Sequence, residues 1–172
     1  GAAAVRPPLW GGGKVPLPAF SARSVGRSLT YSDDASPAAN VDAFARQALV
    51  FGQDLNRRLR TLRVGIVGCG GTGRATAMLL ARLGVGQVVL FAGDIVEVTN
   101  LNRLHGARRS DADAMRAKVD VVADALTGLA LGTRVVALRA WVGNPACRDA
   151  LKSCDVIFGC TDDHDGRLLL NR

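Results

Sequence analysis

The stretch that decides the fold lies at residues 63–73 and reads Arg-Val-Gly-Ile-Val-Gly-Cys-Gly-Gly-Thr-Gly. Its first part, residues 63–67, is a short apolar run typical of a buried strand. Glycines permit a tight turn, and free N–H groups at a helix start favour a phosphate. The stretch therefore predicts a strand, a nucleotide-binding turn and a helix, with an unliganded glycine-rich turn as the alternative. The glycines of this turn are Gly68, Gly70, Gly71 and Gly73.

Apolar strands and periodic helices alternate on both sides of this stretch, which predicts a βαβ arrangement. We expect an α/β fold: a Rossmann-like, doubly wound, mainly parallel sheet with flanking helices, truncated at the C-terminus because the chain stops inside a predicted helix. The helices are predicted at about 41–59, 74–83, 112–129 and 146–152, and the strands at about 63–67, 87–91, 134–140 and 155–159. The predicted buried face of helix 74–83 consists of Ala75, Met78, Leu79 and Leu83.

The first 40 residues differ in composition from the rest of the chain. They hold five of the six prolines and the run Gly11-Gly12-Gly13. Such a composition is typical of a connecting segment. We therefore expect residues 1–40 to be a linker or the tail of an upstream domain, and residues 41–172 to form the α/β domain.

The overall composition narrows the class of protein. A chain of 172 residues with 48% hydrophobic and 22% charged residues is not disordered, collagen-like or a small disulfide scaffold. The excess of 22 Lys and Arg over 15 Asp and Glu favours polyanionic partners such as nucleotides or RNA. The four cysteines form no C-x-x-C pair, and no apolar run of membrane-spanning length occurs. We expect a cytoplasmic protein without a membrane partner.

The end of the second predicted strand indicates which nucleotide is bound. An NAD site places an acidic residue there, on the ribose hydroxyls. This chain has Ala92 at that point, and the nearest acids, Asp94 and Glu97, lie beyond the strand end. An NAD(P)-linked oxidoreductase is therefore kept only as an alternative.

Several further motifs stand in one order along the chain. After the glycine turn come Val96-x-x-Thr-Asn-Leu-Asn-Arg103, a helical Lys118 and Cys160-Thr-Asp162, and Phe44-Ala-Arg-Gln47 precedes the first strand. From about residue 44 to its end, the sequence resembles the ubiquitin-activating-enzyme-like adenylyltransferases of the ThiF/MoeB/HesA type. That family includes the sulfur-carrier activators of the molybdopterin-synthase and thiamine pathways.

The resemblance implies a reaction. Members of the family use Mg-ATP to adenylate the C-terminal carboxylate of a ubiquitin-like or sulfur-carrier protein and release pyrophosphate. Because this attack brings anions together, the site must supply cations and a metal ion. By resemblance, the catalytic residues are Arg103 and Lys118, which would polarise the phosphates, and Asp162, which would hold Mg²⁺. The implied ATP-binding residues are Gly68, Gly70, Gly71, Gly73, Asp94, Asn100, Asn102, Arg103, Lys118 and Arg46.

The resemblance also implies an assembly and shows two departures. Arg46 resembles an arginine that reaches the neighbouring protomer's site, so a homodimer is expected. Ala92 replaces the family's ribose-binding acid, and Leu104 stands where the family often has Gln. The first departure leaves three options: weaker ATP binding, a ribose contact moved to Asp94, or a catalytically silent scaffold. A thioester-forming cysteine or a zinc site would lie only beyond residue 172.

Other interpretations of the same residues stay open. Arg103 and Lys118 could be surface residues, and Asp162 could cap the helix that starts near residue 164. We expect structural roles for Cys69 and Cys160. The basic run at residues 56–63 is typical of a solvated helix face, although the family's tRNA-modifying branch, which adenylates a threonylcarbamoyl carboxylate, keeps RNA as an alternative partner.

Overall fold

A computed structural model describes residues 42–171 and four short strands before them. The chain divides into two compact units, Gly1–Ala38 and Ala39–Arg172. In the first unit, β1 (Ala3–Val5) pairs antiparallel with β2 (Pro16–Pro18), and β3 (Ser21–Ser24) pairs antiparallel with β4 (Thr30–Asp33). The role of residues 1–40 as a linker or tail stays a prediction.

The second unit alternates helices and strands along the chain. Short 3₁₀ helices lie at Asp42–Phe44 and Val98–Asn100. The remaining elements are α1 (Ala45–Phe51), α2 (Gln53–Thr61), β5 (Arg63–Val67), α3 (Gly71–Leu83), β6 (Gln87–Phe91), α4 (Arg109–Asp113), α5 (Lys118–Gly128), β7 (Arg134–Leu138), α6 (Pro145–Lys152), β8 (Val156–Gly159) and α7 (His164–Leu170).

The sheet of the second unit confirms the predicted fold class. Its four strands are parallel and lie in the order β7-β6-β5-β8. The chain leaves β5 toward β6 on one side and later returns to β8 on the other, so the winding direction reverses at β5. In such sheets, ligands bind outside the carboxyl ends of the strands at this switch point. The glycine turn follows β5 and therefore lies at that position.

Helices cover both faces of the sheet because successive strand residues point to opposite sides. On one face, Ile66, Val88 and Leu90 pack with residues of α3 and α5 in a buried cluster. On the other face, Val89 and Phe91 belong to a second cluster, which includes residues of α6.

Two predicted helices are interrupted in the structure. The helix predicted at 41–59 divides at Gly52, whose φ of +79° lies outside the helical region. The helix predicted at 112–129 divides into α4 and α5, and Met115 between them has a φ of +47°. The predictions of single helices were therefore wrong in these places.

The buried face of α3 also differs from the prediction. Leu79 is 68% exposed and Leu83 is 42% exposed, whereas Ala77 and Ala81 are fully buried. These alanines lie one turn apart, and their small side chains let the helix approach the sheet closely. In the described part of the chain, no helix is both long enough and apolar enough to span a membrane.

Candidate functional site

The glycine turn is held tightly between the ends of β6 and β8. The Gly68 N–H donates to the Phe91 carbonyl over 2.8 Å. Gly68 has a φ of +92°, and a Cβ built on it would lie 2.8 Å from the Cys160 carbonyl oxygen. A Cβ built on Gly73 would lie 1.8 Å from the Gly68 carbonyl oxygen. The turn therefore has the shape that only glycine allows at these two positions.

One side of the turn is open. Gly70 precedes α3 as its N-cap residue, and no side chain caps the helix there. A Cβ built on Gly70 would meet no atom within 4 Å. The first N–H groups of a helix have no partner within the helix, and they attract anions. The start of α3 thus offers the arrangement predicted for a phosphate.

The segment after β6 folds back over the start of α3. A Cβ built on Gly71 would lie 3.2 Å from the Arg103 carbonyl oxygen and 3.5 Å from its Cβ. The Arg103 side chain is exposed, and its Nη1 donates to the Thr99 carbonyl over 2.9 Å and to Asn102 Oδ1 over 3.3 Å. The structure thus brings Arg103, which is distant in sequence, directly onto the glycine turn.

Two buried side chains anchor that segment. Asn100 is 5% exposed, and its Oδ1 accepts the Glu97 N–H over 3.2 Å. Leu104 is 1% exposed and packs with Val96. Asn100 therefore shapes the segment, while its predicted contact with a nucleotide stays a prediction, as does that of the exposed Asn102.

Lys118 and Asp94 meet beyond the end of β6. Lys118 is the first residue of α5, and its N–H donates to the Asp94 carbonyl over 2.9 Å. Its Nζ lies 3.2 Å from Asp94 Oδ2, with the lysine side chain 15% exposed and the aspartate 73% exposed. The Lys118 charge also acts on the thiol of Cys69 in the glycine turn. These contacts place the ammonium group at the same edge of the sheet as the turn.

The two cysteines of this region are poor nucleophiles. Burial, followed by the neighbouring Cys160, raises the pKa of Cys69 to about 12. Burial also raises the pKa of Cys160. Because only the thiolate is reactive, these directions agree with the predicted structural roles.

The two aspartates after β8 have different roles. Asp163 is the N-cap of α7, and its carboxylate accepts the Asp165 and Gly166 N–H groups and the Trp141 Nε1–H over 3.2, 2.9 and 3.0 Å. These hydrogen bonds, first that of Gly166, lower the pKa of Asp163. The interpretation of Asp162 as the helix cap was therefore wrong. Within residues 42–171, the exposed Asp162 carboxylate has no hydrogen-bond or ion-pair partner.

The end of β6 presents a methyl group where an acid was expected. Ala92 is 8% exposed and belongs to the core cluster on the α3 side of the sheet. Its N–H donates to the Leu138 carbonyl over 3.3 Å.

The motif before the first strand is partly structural. Phe44 is 6% exposed, and Gln47 donates to Asn56 Oδ1 and to the Leu83 carbonyl over 2.7 and 3.0 Å. Arg46 is exposed on α1, and its contact with a second protomer stays a prediction.

Arg74 was not among the residues expected from the sequence. This arginine in the first turn of α3 is 2% exposed, and its Nε and Nη1 are buried without a hydrogen-bond partner in the described structure. Arg74 precedes Ala77 by three residues and Ala81 by seven, which puts it on the buried face of α3, a face that the apolar pattern of the sequence does not indicate.

These features define a doubly wound α/β domain with an anion-attracting glycine turn at the switch point, flanked by Arg103, Lys118 and Asp162. The chain belongs to the ThiF family, whose family model matches residues 44–172.

Individual relatives give the extent of the similarity. The chain is 29% identical over 169 residues to ubiquitin-like modifier-activating enzyme 5 of Oryza sativa subsp. japonica, covering 90% of this chain and 39% of that protein. It is 34% identical over 130 residues to the sulfur carrier protein ThiS adenylyltransferase of Escherichia coli K12, covering 74% of this chain and 51% of that protein. The chain therefore spans only about half or less of these relatives.

A solved structure agrees with the fold. The E. coli tRNA N6-threonylcarbamoyladenosine dehydratase TcdA in complex with ATP is 25% identical and superposes with a TM-score of 0.67. The superposition covers 75% of this chain and 53% of that one.

Proposed function

We propose that this chain is the nucleotide-binding part of an adenylyltransferase that uses Mg-ATP to activate the C-terminal carboxylate of a ubiquitin-like or sulfur-carrier protein. In this reaction a carboxylate oxygen attacks the α-phosphorus of ATP and pyrophosphate leaves. Membership of the ThiF family and the ThiS-activating relative support this function over an NAD(P)-linked oxidoreductase.

The observation that carries the proposal is the contact between Gly71 and the Arg103 backbone. In a simple dinucleotide-binding domain the chain starts its next helix after the second strand. Here the segment instead brings the backbone and Cβ of Arg103 close to Gly71, at the start of α3. From this position the guanidinium, which donates to Thr99 and Asn102 in the structure, would turn to the negative charge of a triphosphate.

The remaining residues supply the other charges that the reaction needs. Lys118 would withdraw charge from the phosphates as a compact ammonium, and Asp94 holds its Nζ in place from 3.2 Å. Ordered donors that face developing charge are the largest single contribution in reactions of this kind.

The described residues also provide a ligand for a magnesium ion that would bind together with the phosphates of ATP. Mg²⁺ commonly uses one or two protein carboxylates together with phosphate oxygens and water. Asp162 offers one carboxylate without another partner in residues 42–171, and no group of three His, Cys, Asp or Glu side chains among the described residues forms a metal site. When bound, the ion would neutralise phosphate charge and orient the leaving pyrophosphate.

The homodimer is part of the proposal. Arg46 lies on α1, whose Leu49, Val50 and Phe51 are 86%, 74% and 63% exposed. Three consecutive exposed apolar side chains favour contact with another protein surface.

The test is ATP–pyrophosphate exchange by the full chain with its carrier protein. Lys118→Ala and Asp162→Ala should each lower the exchange rate at least ~100-fold, because the first removes a cation from the phosphates and the second removes the proposed ligand of Mg²⁺. Matched controls are Lys152→Ala and Asp149→Ala, which change an exposed lysine and an exposed aspartate of α6. Exchange at the wild-type rate in either test variant, with folding unchanged, would remove that residue from the site.

A tRNA is the second candidate acceptor, because the ATP complex of TcdA matches this fold at 25% identity. The basic run at residues 56–63 gives this candidate little support. Arg60 donates to the Leu131 carbonyl over 2.6 Å and packs on the Phe44 ring, and Arg57 is paired with Asp54. ATP-dependent AMP formation that requires tRNA, and not a carrier protein, would favour this candidate.

A further inference from the structure

Arg74 is a buried cation without hydrogen bonds on two of its nitrogens. Only 2% of the residue is exposed, although arginine is almost never fully buried unless it is paired. Burial lowers the pKa of Arg74. An unpaired buried charge costs stability, so its presence under a functional site requires an explanation.

Asp111 is the acid whose charge acts most strongly on Arg74, and both of its carboxylate oxygens already accept hydrogen bonds from other residues. Its Oδ2 accepts the Arg108 N–H over 2.8 Å, and its Oδ1 accepts Arg116 Nη1 over 2.9 Å. The Asp111 charge stabilises the Arg74 guanidinium at a distance, but no hydrogen bond joins the two. The charge of Arg74 is therefore only partly compensated within the described structure.

The position of Arg74 connects it to the proposed ATP site. A Cβ built on Gly106 would lie 2.9 Å from Arg74 Nη2, so the guanidinium lies against the loop at residues 101–108. Gly71, three residues earlier on the same helix face, lies close to the Arg103 backbone of this loop, because a Cβ built on it would be 3.2 Å from the Arg103 carbonyl oxygen. The loop thus rests on the first turn of α3 at two points. The Arg74 charge also reaches the Cys69 thiol of the glycine turn.

We propose that Arg74 is a positioning residue that holds the loop at residues 101–108 over the glycine turn, and that its buried charge is balanced by the phosphates of the nucleotide bound there. This inference rests on the proposed function, since it takes ATP as that nucleotide. The Arg74 charge would then lower the stability of the free protein and strengthen the binding of Mg-ATP.

The two effects have opposite signs, which separates this role from ordinary packing. Met replaces the apolar stem of an Arg side chain and removes the charged guanidinium. In Arg74→Met the free protein should unfold ~2–5 °C higher than wild type, because the uncompensated charge is gone. The same variant should bind Mg-ATP about tenfold more weakly, because the phosphates lose a nearby cation.

The experiment measures thermal unfolding without ligand and Mg-ATP binding by calorimetry, on the full chain, for wild type, Arg74→Met and Arg74→Lys. Arg82→Met is the matched control, because Arg82 is exposed in the last turn of the same helix, and it should change neither quantity. Arg74→Lys keeps the charge and should recover most of the affinity. It also serves as the test should Arg74→Met fail to fold.

Three results would overturn either the inference about Arg74 or the proposed function. A less stable Arg74→Met with unchanged ATP affinity would show a packing role and overturn the inference. Wild-type affinity in Arg74→Met together with weak binding by Arg74→Lys would do the same. Absence of Mg-ATP binding by wild type would instead overturn the proposed function, and with it the nucleotide that the inference needs.

Discussion

The ends of β5 and β6 lie side by side at one edge of the sheet, but they are built in different ways. After β5 the backbone is fixed by close contacts, such as the 1.8 Å that would separate a Cβ on Gly73 from the Gly68 carbonyl oxygen. After β6 the chain is mostly exposed and is anchored by Asn100 and Leu104. Its charged groups, such as Lys118 and Asp94, hold each other.

The two strand ends therefore contribute differently. Backbone atoms determine the region after β5, and side chains determine the region after β6. The turn after β5 is shaped by close contacts between backbone atoms, so its side chains are restricted by space. The segment after β6 carries mostly exposed polar and charged side chains, and the buried Asn100 and Leu104 anchor it. Both departures from the family pattern, Ala92 and Leu104, accordingly lie at the end of β6 or in the segment after it.

The largest expected effect is that of a methyl group in the turn. Gly73→Ala forces Gly68 and the first turn of α3 apart and should lower the free energy of unfolding by about 3 kcal/mol or more. Denaturant unfolding of the purified chain measures this. Gly70→Ala is the control within the same turn, because a Cβ there meets no atom within 4 Å. Equal stability of the two variants would contradict the close packing described here.

At the end of β6 we expect two smaller effects of opposite sign, one on Mg-ATP binding and one on stability. Ala92→Asp restores the acid that by resemblance binds the ribose, and it should tighten Mg-ATP binding roughly tenfold, since hydrogen bonds to a charged group contribute about 1.5–3 kcal/mol. The free protein should become less stable, because position 92 is 8% exposed and a carboxylate there is partly desolvated. Calorimetric titration and thermal unfolding measure the two effects.

Asn has the size of Asp without its charge, so the Ala92→Asn variant controls for size and should gain less affinity for Mg-ATP than Ala92→Asp. Titration with NAD alongside Mg-ATP decides between the enzyme classes. Binding of NAD alone would favour an oxidoreductase, and binding of neither nucleotide by wild type or Ala92→Asp would favour a catalytically silent scaffold.

The same division explains what could be predicted from the sequence. The strands and the glycine turn were readable because apolar runs and glycine spacing report local requirements. The break before α5 was not readable, since Met115 has no intrinsic preference for its φ of +47°. Arg74 was missed because its burial depends on a loop that begins 27 residues later, at residue 101.

The buried face of α3 also could not be predicted from the sequence. Hydrophobicity favours Leu79 as a core residue, yet it is 68% exposed while Ala77 is fully buried. The helix starts in a turn pressed against the sheet, and the positions that lie deepest in the core are the small residues Ala77 and Ala81. A pattern of hydrophobic residues does not report the distance between two layers, which is set here by the glycine turn.

The smallest expected effect concerns Cys69, whose thiol is buried within the turn. Its pKa is about 12 in the folded chain, against about 8.5 for an unfolded cysteine, so only the unfolded state loses the proton at moderately alkaline pH. Stability therefore falls as pH rises above about 8.5. Relative to Cys69→Ala, wild type should lose somewhat less than ~1 kcal/mol between pH 7 and pH 9. Denaturant unfolding of both proteins at the two pH values measures the difference, and the comparison removes groups that titrate in both. A difference that stays constant would mean that the thiol ionises as readily as in the unfolded chain, and the turn would then be open to solvent on the side of Cys69 as well as on the side of Gly70.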